Sequence, residues 1–186
     1  MPLDREKFDE LEKRVVVTLK GKSPLMEAPY YVCLYHPKNE LEVIESFQNM
    51  VFRLRNKGFS AETIRLSDLM IEILSSSGLL SPEIIQKEEE IREELERDLR
   101  RNLAEKVPNI LKDRLKGKDV SHCAVLLRYG ALWPFVHLSH IFISIMNRVD
   151  CTLVVPYPSD IGAGYPLNEK SIGIVENYRA EVVDLR

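Results

Sequence analysis

The chain has 186 residues, 45% apolar and 30% charged, which is enough for one well-cored domain. A net charge of −3 excludes a general attraction to nucleic acid, and no apolar run approaches the ~18 residues of a membrane span. The leading MPLDREKFDELEKR is charged and lacks the apolar core of a secretory signal, so a cytoplasmic location is expected.

Leu3, Phe8 and Leu11 stand at near-helical spacing and predict a short amphipathic helix over 3–13. APYYVCLYHP (28–37) is rich in β-formers and predicts a strand closed by Pro37. Over 38–58, Leu41, Ile44, Phe47, Val51 and Leu54 share one helical face, and Lys57-Gly58 is a helix stop. AETIRL is a second strand, and Ser67-Asp68 offers an N-cap for LMIEILSSSG.

The segment 82–116 reads as a helical insertion. Ser81-Pro82 is a helix start, and the acids Glu88, Glu93 and Glu96 each precede an arginine by four residues. Ile91, Leu95, Leu99, Leu103, Val107, Leu111 and Leu115 recur every four residues. Such a step turns about 40° each time on a helix of 3.6 residues per turn, so one straight helix cannot keep all of them on one face. The expectation is a helix to about Lys106, a break near Pro108 and a short second helix to Leu115.

DVSHCAVLLRY (119–129) is apolar almost throughout, as a central parallel strand should be. ALWPFVHLSHIFISIMNRV is a strongly apolar helix with Trp133-Pro134 at its start; CTLVVPYP is a fourth strand stopped by Pro156 and Pro158. Residues 159–178 are a loop-rich connection and AEVVDLR is a final strand. Strands alternating with helices predict a single Rossmann-like α/β domain over 1–186, with a mainly parallel sheet flanked by helices.

The chemistry is mostly negative. The strand at 119–129 is followed by GALWPFV, with one glycine and no lysine, so the phosphate-cradling G-x-x-x-x-G-K-[ST] loop is absent. Gly162 and Gly164 form a G-x-G after two prolines with no clear helix behind it, and no G-x-S-x-G elbow occurs. His137 and His140 could share a helix face. A metal would need a third ligand, such as His122, Cys123 or Asp160, and packing is the simpler role. Cys33, Cys123 and Cys151 sit in strand-like runs with no C-x-x-C pair, which predicts buried, reduced thiols; a reactive thiol at Cys123 beside His122 is the weaker alternative. No catalytic, cofactor-binding or metal residue is assigned. The acids at 88–90 read as a solvated face, and the bases of 97–118 are interleaved with acids and lack aromatic companions.

The carboxyl ends of the parallel strands are the default functional face. They carry Arg128, Tyr129, Gly130, Tyr157 and Asp160, with Trp133 and Pro134 beside them, and aromatic and arginine anchors suit a contact surface. PYYVCLYHPKNELEV (29–43), IRLSDLMIEIL (64–74), YGALWPF (129–135) and NYRAEVVDL (177–185) together resemble the BrxB family of BREX phage-defence systems, across nearly the whole chain. The family pattern has an acid at His36, often an arginine at His137, and a second tyrosine beside Tyr178-Arg179. The resemblance implies a non-catalytic assembly or bridging subunit that needs no cofactor. Its partners would be the phosphatase-superfamily protein, the large ATPase and the methyltransferase of the system. The contact rim would be Arg128, Tyr129, Gly130, Trp133, Pro134, Tyr157, Asp160, Tyr178 and Arg179. A degenerate nucleotide-binding domain and an accessory protein touching nucleic acid are the alternatives.

Overall fold

The computed structural model describes residues 3–22, 30–146, 148–159 and 180–186. Its helices are α1 (Arg5–Leu19), α2 (Glu40–Asn56), α3 (Leu66–Ser76), α4 (Pro82–Gln86), α5 (Arg92–Leu115) and α6 (Leu138–Ile145). Its strands are β1 (Tyr30–Tyr35), β2 (Ser60–Arg65), β3 (His122–Leu127), β4 (Thr152–Pro158) and β5 (Ala180–Asp184). They form one sheet in the order β2-β3-β4-β1-β5, parallel at every junction. The expected α/β architecture is therefore present, with a sheet that is parallel throughout its described strands.

Alternation along the strands divides the core in two. On one face Tyr31, Cys33, Val125 and Val154 meet Phe8, Leu11 and Val15 of α1 and Phe47, Met50 and Leu54 of α2. On the other, Val32, Leu34, Ala124, Leu126, Leu153 and Val155 meet residues of α3, α5 and α6. Both faces are covered, which is why β1, β3 and β4 are apolar at nearly every position. The N-terminal helix is longer than its first apolar residues suggest, because Val15 and Leu19 continue the buried stripe. Glu12 fastens it to α2. Burial alone would raise its carboxyl pKa, but Arg53 at 2.6 Å and Lys57 at 2.8 Å hold it below the usual value.

The sequence expectations fail in four informative places. Leu41 is 79% exposed rather than on the buried face of α2. It falls in the first turn, ahead of Val43 and Ile44, the first α2 residues to be buried. Helix α3 begins at Leu66, with Arg65 in the capping position and no side-chain cap, so Ser67-Asp68 lies inside it. Strand β4 runs through both prolines instead of stopping at them. Its pairing with β3 ends at Val154, while its pairing with β1 continues to Tyr35↔Pro158. Pro156 and Pro158 are two apart, so their missing donors point the same way. They are tolerated on the side where the β3 ladder has ended.

The fourth correction is α5, one helix through Pro108 rather than two helices. Proline has no N–H to give the carbonyl four residues earlier, which is that of Ala104. The His140 ring on α6 lies 3.0 Å from that carbonyl and donates to it through Nε2. The orphan acceptor is thus satisfied from the neighbouring helix, and the helix survives. The drifting four-residue stripe is accommodated by a change of neighbour. Leu103, Val107, Leu111 and Leu115 lie in the sheet-side core, while Asn102 and Lys106 turn toward Ser77 at the end of α3. No residue from Ser75 to Asn102 is buried, so α4 and the first half of α5 stand clear of the core. The second half of the expected insertion is a layer of the fold.

Candidate functional site

The chain leaves β1 toward the β2 edge and leaves β4 toward the β5 edge, so the carboxyl ends of β1 and β4 form the switch point of the sheet. The ends are closely tied. Ser159 N–H donates to Tyr35 O at 2.8 Å, and Arg186 donates to Ser159 Oγ at 3.4 Å. Arg128, just after β3, reaches Glu40 at the start of α2, 3.6 Å away.

Beyond Val154 the β3 and β4 ladders part, and the chain after β3 fills the opening. Tyr129–Leu132 is a single tight helical turn. The Tyr129 ring is buried and stacks on Tyr157 with centroids 4.7 Å apart, and its hydroxyl donates to Val136 O at 3.0 Å. Burial raises both phenols, Tyr129 to about 12. Gly130 lies against Pro158, whose Cγ would be 3.5 Å from an added Cβ. The sequence places a helix start at Trp133. The structure instead ends the tight turn there, joins Trp133 to Pro134 by a cis peptide, and begins α6 only at Leu138.

Of the rim residues expected from sequence, Arg128, Trp133 and Pro134 reach the surface, and Trp133 is 37% exposed. Tyr129 and Tyr157 are buried instead and do not reach it. Asp160, Tyr178 and Arg179 lie outside the described residues. Arg100 of α5 donates to Pro134 O at 3.5 Å, so the long helix braces the loop.

The turn is poorly built for phosphate. The N–H groups of Ala131, Trp133, Phe135 and Val136 already donate to Arg128, Gly130 and Leu132 carbonyls. The first turn of α2 at the switch point carries Glu40 and Glu42, which repel an anion. Among the described residues no group of His, Cys, Asp and Glu could hold a metal. His140 serves the Ala104 carbonyl, while the exposed His137 stands at the capping position of α6 without a side-chain cap bond. All three thiols are free and buried, and burial pushes the Cys123 thiol far up, against a reactive role. Among the described residues no helix is long and apolar enough to cross a membrane.

One cluster escaped the sequence reading. Ser60, Glu62 and His122 come together at the amino ends of β2 and β3 through the register Ser60↔His122. Ser60 and Glu62 are two apart, and that spacing was the available signal.

Arg128 has φ 64, the left-handed conformation that favours glycine. Arg128→Gly relieves that conformation at the loss of an exposed ion pair of small worth. The expected outcome is a stability gain of up to about 1 kcal/mol in a urea melt. A clear loss would show that Arg128 contributes packing the rim needs.

A search of curated proteins finds no match to the chain. The family model described as BREX protein BrxB matches residues 62–178, more than half of the chain. The match runs from Glu62, inside β2, through β4 and takes in the whole Arg128–Pro134 turn, while the 29–43 segment lies outside it. A parallel α/β sheet with a filled strand gap where a phosphate loop would sit thus meets a family assignment, and the chain belongs to the BrxB family, making it a BREX phage-defence component.

Proposed function

We propose that the chain is an assembly or bridging subunit of a BREX complex, and that its carboxyl-end rim makes contact rather than chemistry. One observation carries this reading: Trp133 is exposed at the end of a turn that is anchored by the buried, stacked Tyr129–Tyr157 pair. A rigid aromatic on a preorganised support loses little freedom on binding and excludes water well, as the strongest contact residues do. Other BREX components are the plausible partners.

Neither alternative gains a comparable observation. Four N–H groups of the turn, those of Ala131, Trp133, Phe135 and Val136, are already engaged, and the bases of α5 are partly engaged, Arg101 with Asp98 and Arg114 with Glu62. The test is co-purification of the tagged chain with the other components of its system, with and without ATP. Recovery of a component by the native chain and its loss with Trp133→Ala is the expected result. Recovery of the chain alone, or equal recovery by both forms, would overturn the proposal.

A further inference from the structure

The amino ends of β2 and β3 lie at the other end of the sheet from the rim, and Ser60, His122 and Glu62 meet there. Ser60 Oγ is 2.7 Å from His122 Nδ1. His122 Nε2 is 3.1 Å from Glu62 Oε1. Glu62 is itself held by Arg114, whose Nε and Nη2 both lie 3.2 Å from Oε2. His122 is 4% exposed, whereas Ser60 is exposed on the edge strand.

We propose that Ser60 is an activated nucleophile that takes acyl groups from small esters, with His122 as its general base and Glu62 as the positioning residue. Hydroxyl, imidazole and carboxylate stand in the order such catalysis requires, with the two ring nitrogens exchanged relative to the usual serine triad. Glu62 accepts from Nε2–H and so fixes the tautomer that leaves Nδ1 free to take the serine proton. Burial, followed by the charge of Lys118, lowers the His122 pKa, which keeps the ring neutral and basic near pH 7.

Approach is open at Ser60 itself, which is exposed on the edge strand. The Ala61 carbonyl accepts from Arg55 Nε at 2.7 Å, at the edge strand. Within a strand, N–H and C=O of one residue point the same way, so Ala61 N–H faces that direction as well. The amide following the nucleophile is where an ester's developing oxyanion would be received.

The step balances. Ser60 Oγ–H gives its proton to Nδ1 as Oγ bonds to the ester carbonyl carbon. The carbon–oxygen bond to the leaving alcohol breaks, and that oxygen takes the proton from Nδ1. Water then repeats the sequence, releasing the acid and restoring the serine. The small ester is favoured because the hydroxyl sits on an open strand edge rather than in a deep cleft.

The test treats the purified full chain with a fluorophosphonate probe and with p-nitrophenyl acetate. Labelling is expected at Ser60 by peptide mass spectrometry, absent in Ser60→Ala, and about 100-fold or more slower in His122→Gln that still melts cooperatively. The labelling rate should rise with pH and level off below the ordinary histidine pKa. Glu62→Gln should move that inflection lower, because Glu62 is one of the groups that raise it; Lys118, Asp119 and Arg114 are the other charges facing the cluster. If a melted His122→Gln profile leaves the result in doubt, the Glu62→Gln shift decides it. Labelling at Ser60 no faster than at other exposed serines, or a rate insensitive to Glu62→Gln at every pH, overturns the proposal. The rim is untouched by these variants, so this proposal and the assembly reading fail separately.

Discussion

Trp133→Ala is expected to weaken capture of a BREX partner about 30-fold, the roughly 2 kcal/mol that marks a central aromatic anchor. The same substitution should cost the isolated chain no more than about 1 kcal/mol, or roughly 2–4 °C of melting temperature for a chain of this size. The reason is geometric: Trp133 is 37% exposed and is not part of the buried Tyr129–Tyr157 stack. Both quantities are accessible with purified components, by titration calorimetry and a thermal melt. A large stability loss with unchanged affinity would make Trp133 a packing residue and move the contact surface elsewhere.

Tyr129→Ala should behave in the opposite way. Its ring is 1% exposed, stacked on Tyr157, and its hydroxyl closes the turn onto Val136. Removing it opens a cavity in the gap between β3 and β4 and strands the Val136 carbonyl. Large-to-small aromatic changes in cores cost roughly 3–5 kcal/mol, here a fall of about 10 °C. Tyr129→Phe keeps the stack and loses one hydrogen bond, for about 1 kcal/mol. Chemical melts of both variants separate the contributions. A shift of only a few degrees in Tyr129→Ala would show that the gap closes without the ring. Partner binding is expected to fall with Tyr129→Ala as well, because the turn presenting Trp133 loses its anchor.

Both expectations rest on a turn whose location was legible in the sequence and whose shape was not. The strands stood out because β1, β3 and β4 are covered on both faces and need apolar residues almost everywhere. The rim followed from strand direction alone. The helix expected at Trp133 did not form there. Apolar composition could not distinguish a helix start from a buried plug of a strand gap, and the gap arises from pairing that stops at Val154. The break expected at Pro108 failed for a similar reason. Its remedy is a histidine 32 residues downstream, at a contact only the fold creates. The spacing of Ser60 and Glu62 was legible, but not their meeting with His122, because a register between two strands assembles it.

The unbroken α5 has a mechanical meaning. At about 1.5 Å per residue its 24 residues span about 36 Å, with one half clamped in the core and the other half standing free. That is a lever with a fixed end. Its bracing points are Ala104, held by α6, and Arg100, held by the Pro134 carbonyl, and both lie near the fulcrum. A load placed on the free end by a bound protein would therefore be delivered as torque on the turn that carries Trp133. A chain continuous through Pro108 transmits that torque, where two helices joined by a break would have bent and absorbed it.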